Sequence, residues 1–325
     1  MHFLTNPLVN LALQHFDNLD PDEPQNGDWF FETFGPGNLL NATDRPHERF
    51  QDYEQLLKFL FDRDRGKYEK MHKGTPFYFL AWLAFDLRNY EKTLFYIDAA
   101  ISEDVRNAGD KWMNLPGAAF LKLDYEHQVA ERVIRKIHDL LSVQATRFNG
   151  VSRLKAISVD EFLSKFVSSL IHTASTRTII SAFYIFLLEF EERLRELNLR
   201  SIEGGSIGAL IAHMFSGGLI FESLLKHVYP SAKTMTLGQI FQTAAFVNDF
   251  RHGISTKATS LKGILDAIND DTNTMVTAFN TTARLRNTTG HDLAWDDIFD
   301  NSANYEALVN QELNALFYAI QRKFL

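Results

Sequence analysis

Arg177-Thr-Ile-Ile-Ser-Ala-Phe-Tyr-Ile-Phe-Leu-Leu-Glu-Phe-Glu-Glu-Arg-Leu-Arg-Glu-Leu197 sets apolar side chains at Phe183, Phe186, Leu187, Phe190 and Leu194 against charged ones at Glu189, Glu191, Glu192, Arg193 and Arg195. Intervals of three and four residues place the two sets on opposite faces of an α-helix. A helix with one apolar face must bury it against other helices, so this stretch predicts an antiparallel bundle. The same spacing returns over 206–228, 261–286 and 305–324, with a shorter helix expected over 237–250. Upstream, Ser158-Val-Asp-Glu161 reads as a capping-box-like start, and 162–171 continues in helical spacing.

The other half of the chain is also helical in pattern. Residues 1 to about 48 are punctuated by Asn, Asp, Pro and Gly, as in Phe34-Gly-Pro-Gly37, which predicts a short helix followed by an irregular arm. Leu56, Leu57, Phe59, Leu60 and Phe61 then mark a helix, and 75–101 reads as two antiparallel helices joined at Arg88-Asn89-Tyr90. Thr75-Pro76 offers the start, because Thr can cap and Pro tolerates the first helical position. This segment resembles a single tetratricopeptide-type hairpin, with no clear repeat at the roughly 34-residue period on either side. A further helix is expected over 125–141, and Phe148-Asn-Gly-Val151 offers a domain boundary. Strand-like alternation is scarce. The expected fold is all-α, with a helical domain over 1–150 and a helical bundle over 151–325.

Composition narrows the chemistry. The chain has no Cys, which excludes disulfides, thiolate metal sites and a cysteine nucleophile together, and fits a reducing cytoplasmic setting. Its start does not read as a secretory signal. The longest apolar run, 179–188, is interrupted by Ser181 and falls short of the roughly 20 residues of a membrane span, so no membrane is expected. A formal net charge of −8 argues against broad attachment to nucleic acid, so any RNA contact needs a local basic surface. His138, His172, His213 and His227 lack paired carboxylates at ligand spacing, and neither a metal nor a cofactor is expected. Gly204-Gly-Ser-Ile-Gly208 has no strand before it and no Lys-Ser/Thr after it, and reads as a helix connection.

One stretch carries chemistry: Arg286-Asn287-Thr288-Thr289-Gly290-His291. Asn through Gly are poor helix-interior residues, so Arg286 is expected on a last helical turn and His291 on or after the break. Cleaving RNA by its own 2′-hydroxyl needs a base, an acid and a cation at phosphorus. His titrates near neutrality and can serve as base or acid. Arg stays charged and offers a planar fork to phosphate oxygens. Asn287 can bind phosphate or hold the imidazole in one tautomer. Arg284, Arg251 and His252 are further candidates for substrate contact. The competing reading pairs Arg286 with Asp292 or Asp296 at the helix end, while His291 caps carbonyls.

With those residues in place, 158–325 resembles a HEPN domain, a helical-bundle family whose ribonuclease branch carries an Arg, a polar residue, a short spacer and a His. Arg286, Asn287 and His291 match those positions, and 183–197 and Phe221-Glu-Ser-Leu-Leu-Lys226 match its first two helices. The resemblance implies a metal-independent endoribonuclease acting as a homodimer, with two copies of His291 in one cleft, in a toxin or antiviral-defence effector. Residues 1–150 would then sense, regulate or recruit a protein partner. The alternatives are a non-catalytic helical interaction protein that dimerises through its bundle, and a HEPN-type antitoxin or nucleotide-binding regulator.

Overall fold

A computed structural model describes residues 7–20, 22, 45–124, 131–200, 208–250, 254, 260–270, 274–289 and 301–325. Among the described residues every regular element is helical, and the chain divides into two compact units, Met1–Lys136 and Ile137–Leu325.

In the first unit α1 (Pro7–Asn18) is tied to α2 (Pro46–Arg63) through Arg63, which donates to both carboxylate oxygens of Asp17 at 2.6 and 2.5 Å. The α2 stripe Phe50, Tyr53, Leu56, Leu57 and Leu60 is buried, as its three- and four-residue spacing requires. A short α3 (Arg65–Lys70) follows, capped by Asp64, whose carboxylate accepts from the Lys67 amide at 2.9 Å. The expected hairpin is α4 (Gly74–Asp86) against α5 (Tyr90–Ala108), with Leu80, Ala81, Ala84, Ile97, Ala100 and Ile101 buried. It turns where expected. Arg88 takes a left-handed φ of 57°, and Asn89 caps α5 by accepting from the Lys92 amide at 3.1 Å.

The start of α4 differs from expectation. Lys73, not Thr75, holds the cap position, with its backbone N–H donating to Glu103 at 3.2 Å and its Nζ to the Tyr68 and Met71 carbonyls at 2.9 and 2.8 Å. A tertiary partner on α5 therefore replaces a local Thr cap. After α6 (Pro116–Leu121), α7 (Glu131–Val151) runs straight through the Phe148-Asn-Gly-Val151 stretch that the sequence offers as a boundary. Of the helix expected over 125–141, residues 125–130 lie outside the described residues.

In the second unit, Phe148 of α7 packs against Phe317 and Tyr318 at 5.3 and 4.7 Å between ring centroids, tilted to the first and edge-on to the second. Ser158 caps α8 (159–170), whose middle, Phe162–Val167, is a π-helix. The bundle proper is α9 (Ala174–Asn198), α10 (Gly208–Val228), then two short helices, α11 (Leu237–Ile240) and α12 (Ala244–Phe250). It closes with α13 (Leu261–Asp270), α14 (Thr274–Thr288) and α15 (Ser302–Phe324). The helix expected over 261–286 is described as α13 and α14, and residues 271–273 between them lie outside the described residues.

Aromatic contacts give the helix directions. Phe183 meets Phe317 at 5.9 Å and Phe190 meets Tyr305 at 6.1 Å, so α9 and α15 are antiparallel. His213 meets Tyr305 and Lys323 lies 5.0 Å from the Tyr229 ring, so α10 and α15 run parallel. Phe279 of α14 packs on Phe221 at 5.1 Å, while Arg286 packs on Gly218, so α14 descends against α10. The α10 helix is long and apolar enough by length and composition to cross a membrane, with a mean hydropathy of 1.4, but 61% of that stretch is buried inside the protein. Its apolarity is explained by its central place in the bundle.

His213 links three helices through a buried polar chain. His213 donates from Nε2 to the Phe186 carbonyl at 2.9 Å, which leaves Nδ1 to accept from the Tyr305 hydroxyl at 2.8 Å. Burial lowers the His213 pKa to about 4, so the imidazole is neutral and works as a core connector between α9, α10 and α15.

Candidate functional site

The α14 helix ends as the sequence predicts. Arg286 sits on its last turn, and Thr289 closes the end by donating to the Leu285 carbonyl through its amide at 2.9 Å and its hydroxyl at 2.7 Å. Asn287 is half-buried beside it. His291, Arg251 and His252 lie outside the described residues, as do Asp292 and Asp296. Arg284 is half-buried with an Nε that makes no hydrogen bond among the described residues. Two residues along a helix is about 200° around it, so Arg284 and Arg286 leave α14 on nearly opposite sides and do not form one basic patch.

Arg286 lies across α10. Its Cβ packs on Gly218: a Cβ at position 218 would stand 2.7 Å from the Arg286 Cβ and 3.2 Å from its Cα. The guanidinium carbon lies 4.8 Å from the centroid of the Phe215 ring. Its Nε donates to Glu222 Oε2 at 3.2 Å, and the other Glu222 oxygen takes Lys226 Nζ at 2.6 Å. Phe215, Gly218 and Glu222 follow intervals of three and four, so one face of α10 receives the whole side chain. Side-chain exposure is 29% for Arg286 and 12% for Glu222, which leaves a cation at the edge of solvent over a largely covered carboxylate.

The sequence reading placed Arg286 at a helix end but missed Phe215, Glu222 and Lys226. The spacing of Glu222 and Lys226 is visible as an ordinary helical charge pair. Nothing local shows that it meets an arginine 64 residues away. The acidic partner of Arg286 among the described residues is Glu222.

Behind this face, Gly217 turns the other way, towards α15 and α9. A Cβ there would stand 2.7 Å from the Glu312 carboxyl and 2.7 Å from the Phe186 ring. Glu312 is fully buried, and among the described residues its oxygens meet the Gly218 amide only outside good hydrogen-bond geometry. Burial pushes its pKa well above 4.5, with the Gly218 amide opposing part of the shift, which favours the protonated carboxyl. The Gly217-Gly218 pair is therefore where α9, α14 and α15 all approach α10.

Asp249 stands at the end of α12. Asp249 accepts from the Tyr229 hydroxyl at 2.5 Å and from Lys323 at 2.7 Å. Tyr229 lies about 10 Å further along the α10 direction than Glu222, at a rise of roughly 1.5 Å per residue. Among the described residues no three His, Asp or Glu side chains converge in a way that could hold a metal ion.

Gly218→Ala tests this packing. The added methyl meets backbone as well as side chain, so the bundle is expected to lose about 1–3 kcal/mol of unfolding free energy despite the better helix propensity of Ala. Urea unfolding measures it, and a gain in stability would contradict the close approach of α14 to α10.

No family model matches the chain, and no curated protein and no solved structure matches it.

Proposed function

We propose that the second unit is a HEPN-type ribonuclease domain and that the protein cleaves RNA without a metal ion. The observation that carries this is the setting of Arg286: a guanidinium at a helix end, held on one α10 face and open to solvent on its outer side. In this reading the RNA 2′-oxygen attacks the adjacent phosphorus while one His291 takes the hydroxyl proton. The bond from phosphorus to the 5′-oxygen breaks, and a protonated second His291 gives that oxygen its proton. The products are a 2′,3′-cyclic phosphate and a 5′-hydroxyl. Arg286 stabilises the charge that gathers on the phosphate oxygens. One chain supplies one His291, so a homodimer completes the set. Asn287 orients phosphate or imidazole, and Arg251 and His252 add substrate contacts. The first unit regulates the enzyme or recruits a protein partner, in the cytoplasm, in the manner of a toxin or a defence effector.

A second reading rests on a specific contact. Glu222 neutralises Arg286 and also holds Lys226, as it would in a purely structural charge cluster of an interaction protein. Total RNA incubated with the protein in EDTA separates the two. Wild type is expected to cut it and Arg286→Ala and His291→Ala to leave it intact. Equal cutting by all three sinks the site assignment, and an uncut RNA with wild type favours the structural cluster.

A further inference from the structure

Arg286 must present a planar fork at the solvent edge while carrying a side chain of four rotatable bonds, whose ordering costs up to about 2 kcal/mol. Among the described residues the Glu222 carboxylate takes the guanidinium through Nε, at 3.2 Å. A hydrogen bond at Nε does not by itself fix the plane, which can swing about the bond axis. Glu222 is also shared: Lys226 approaches it more closely, at 2.6 Å. A phosphodiester arriving at the guanidinium would compete with this carboxylate, because both are acceptor-only anions that use the same N–H groups.

Phe215 differs in kind. Its ring meets the guanidinium through the π-face, 4.8 Å from centroid to Cζ, and so engages the cation without using any N–H donor. That contact persists when a phosphate takes the donors. Phe215 is also on the outer side of α10, half-buried next to Ser216 and the exposed Leu219, while the core position beside it is filled by Met214. Among the described residues, the guanidinium of Arg286 is the cation that covers its ring.

We propose that Phe215 is a positioning residue for Arg286, its ring setting the plane in which the guanidinium meets a phosphodiester. The proposal rests on the ribonuclease reading for its substrate, and its test is arranged so that the two fail separately. Full-length wild type, Phe215→Leu and Phe215→Tyr are compared. Leu keeps an apolar side chain of similar reach without the π-face, and Tyr keeps the face. The Arg286 Nε–H resonance, assigned by its loss in Arg286→Lys, reports the ring directly. Loss of a contact of this kind is worth roughly 5- to 30-fold in rate. Phe215→Leu is therefore expected to shift the resonance and lower kcat by that factor with KM nearly unchanged, and Phe215→Tyr to restore both. A resonance unmoved by Phe215→Leu overturns the proposal, as does a moved resonance with unchanged kcat. If wild type does not cut RNA at all, the ribonuclease reading fails by itself. Affinity for a 2′-O-methyl RNA oligonucleotide then decides: weakening by Leu with recovery by Tyr supports the positioning role, and equal affinity for all three overturns it.

Discussion

Arg286→Ala is expected to lower kcat/KM for RNA by about 10²–10³-fold, the effect of removing one charged donor from a transition state that gathers negative charge. The size follows from what the fork does at the moment of transfer. Two parallel N–H groups meet two phosphate oxygens, and the positive charge is already in place, so little reorganisation is needed when the charge develops. Arg286→Lys keeps the charge and loses both the fork and the guanidinium's contact over the Phe215 ring, so it is expected to recover only part of the rate. The fold is expected to survive either change. Glu222 keeps Lys226 at 2.6 Å, so truncating Arg286 does not leave a covered carboxylate unpaired. A partly exposed ion pair of this type contributes about 0–1 kcal/mol. Thermal unfolding beside kinetics therefore reads the two links of the argument apart: a large loss of activity with a small loss of stability is the expected pattern.

Glu312→Gln is expected to stabilise the protein, and by more as the pH rises. Among the described residues the carboxyl completes no good hydrogen bond and lies against Gly217, and burial raises its pKa well above the ordinary 4.5. The unfolded chain gives up this proton near 4.5, and the folded chain does not. Above that pH the unfolded state binds fewer protons, and each pH unit costs about 1.4 kcal/mol of stability until the raised value is reached. His213 acts in the opposite sense lower down. Its folded pKa of about 4 lies below the ordinary 6.5, so it contributes stability that is complete above 6.5 and is lost as the pH falls towards 4. Between 4.5 and 6.5 the two slopes cancel in the wild type. Glu312→Gln removes one of them. Its advantage over wild type is expected to grow as the pH rises above 4.5 in urea unfolding. Parallel profiles for the two proteins would mean that Glu312 reaches water or a partner in the folded state. Tyr305, whose own pKa Glu312 helps to raise, is a neighbouring titratable group present in both proteins.

The bundle was legible because its helices are long and their burial follows the sequence period. Phe183, Phe186, Leu187 and Phe190 are all buried where the three- and four-residue spacing put them. The last turn of α14 was legible for a local reason too, since Asn287-Thr-Thr-Gly290 weakens a helix wherever it occurs. What surrounds Arg286 was not legible at all. Gly218 reads as a weak spot in an apolar helix, Glu222 as a solvated charge and Phe215 as core. Their meeting depends on the sliding register of α10 against α14, which no local pattern encodes. Glu312 was missed for the same reason: Asn310-Gln-Glu-Leu-Asn314 reads as a polar turn of helix, and only the glycine opposite makes room for it in the core.

The most direct measurement of the ribonuclease claim is the chemistry of the cut ends. A uniform RNA oligonucleotide is incubated in EDTA with wild type or Arg286→Ala, and the fragments are analysed by mass. Wild type is predicted to yield 2′,3′-cyclic phosphate and 5′-hydroxyl ends, with Arg286→Ala leaving the RNA whole. Fragments bearing 3′-hydroxyl and 5′-phosphate ends, or equal cleavage by the two proteins, would contradict it.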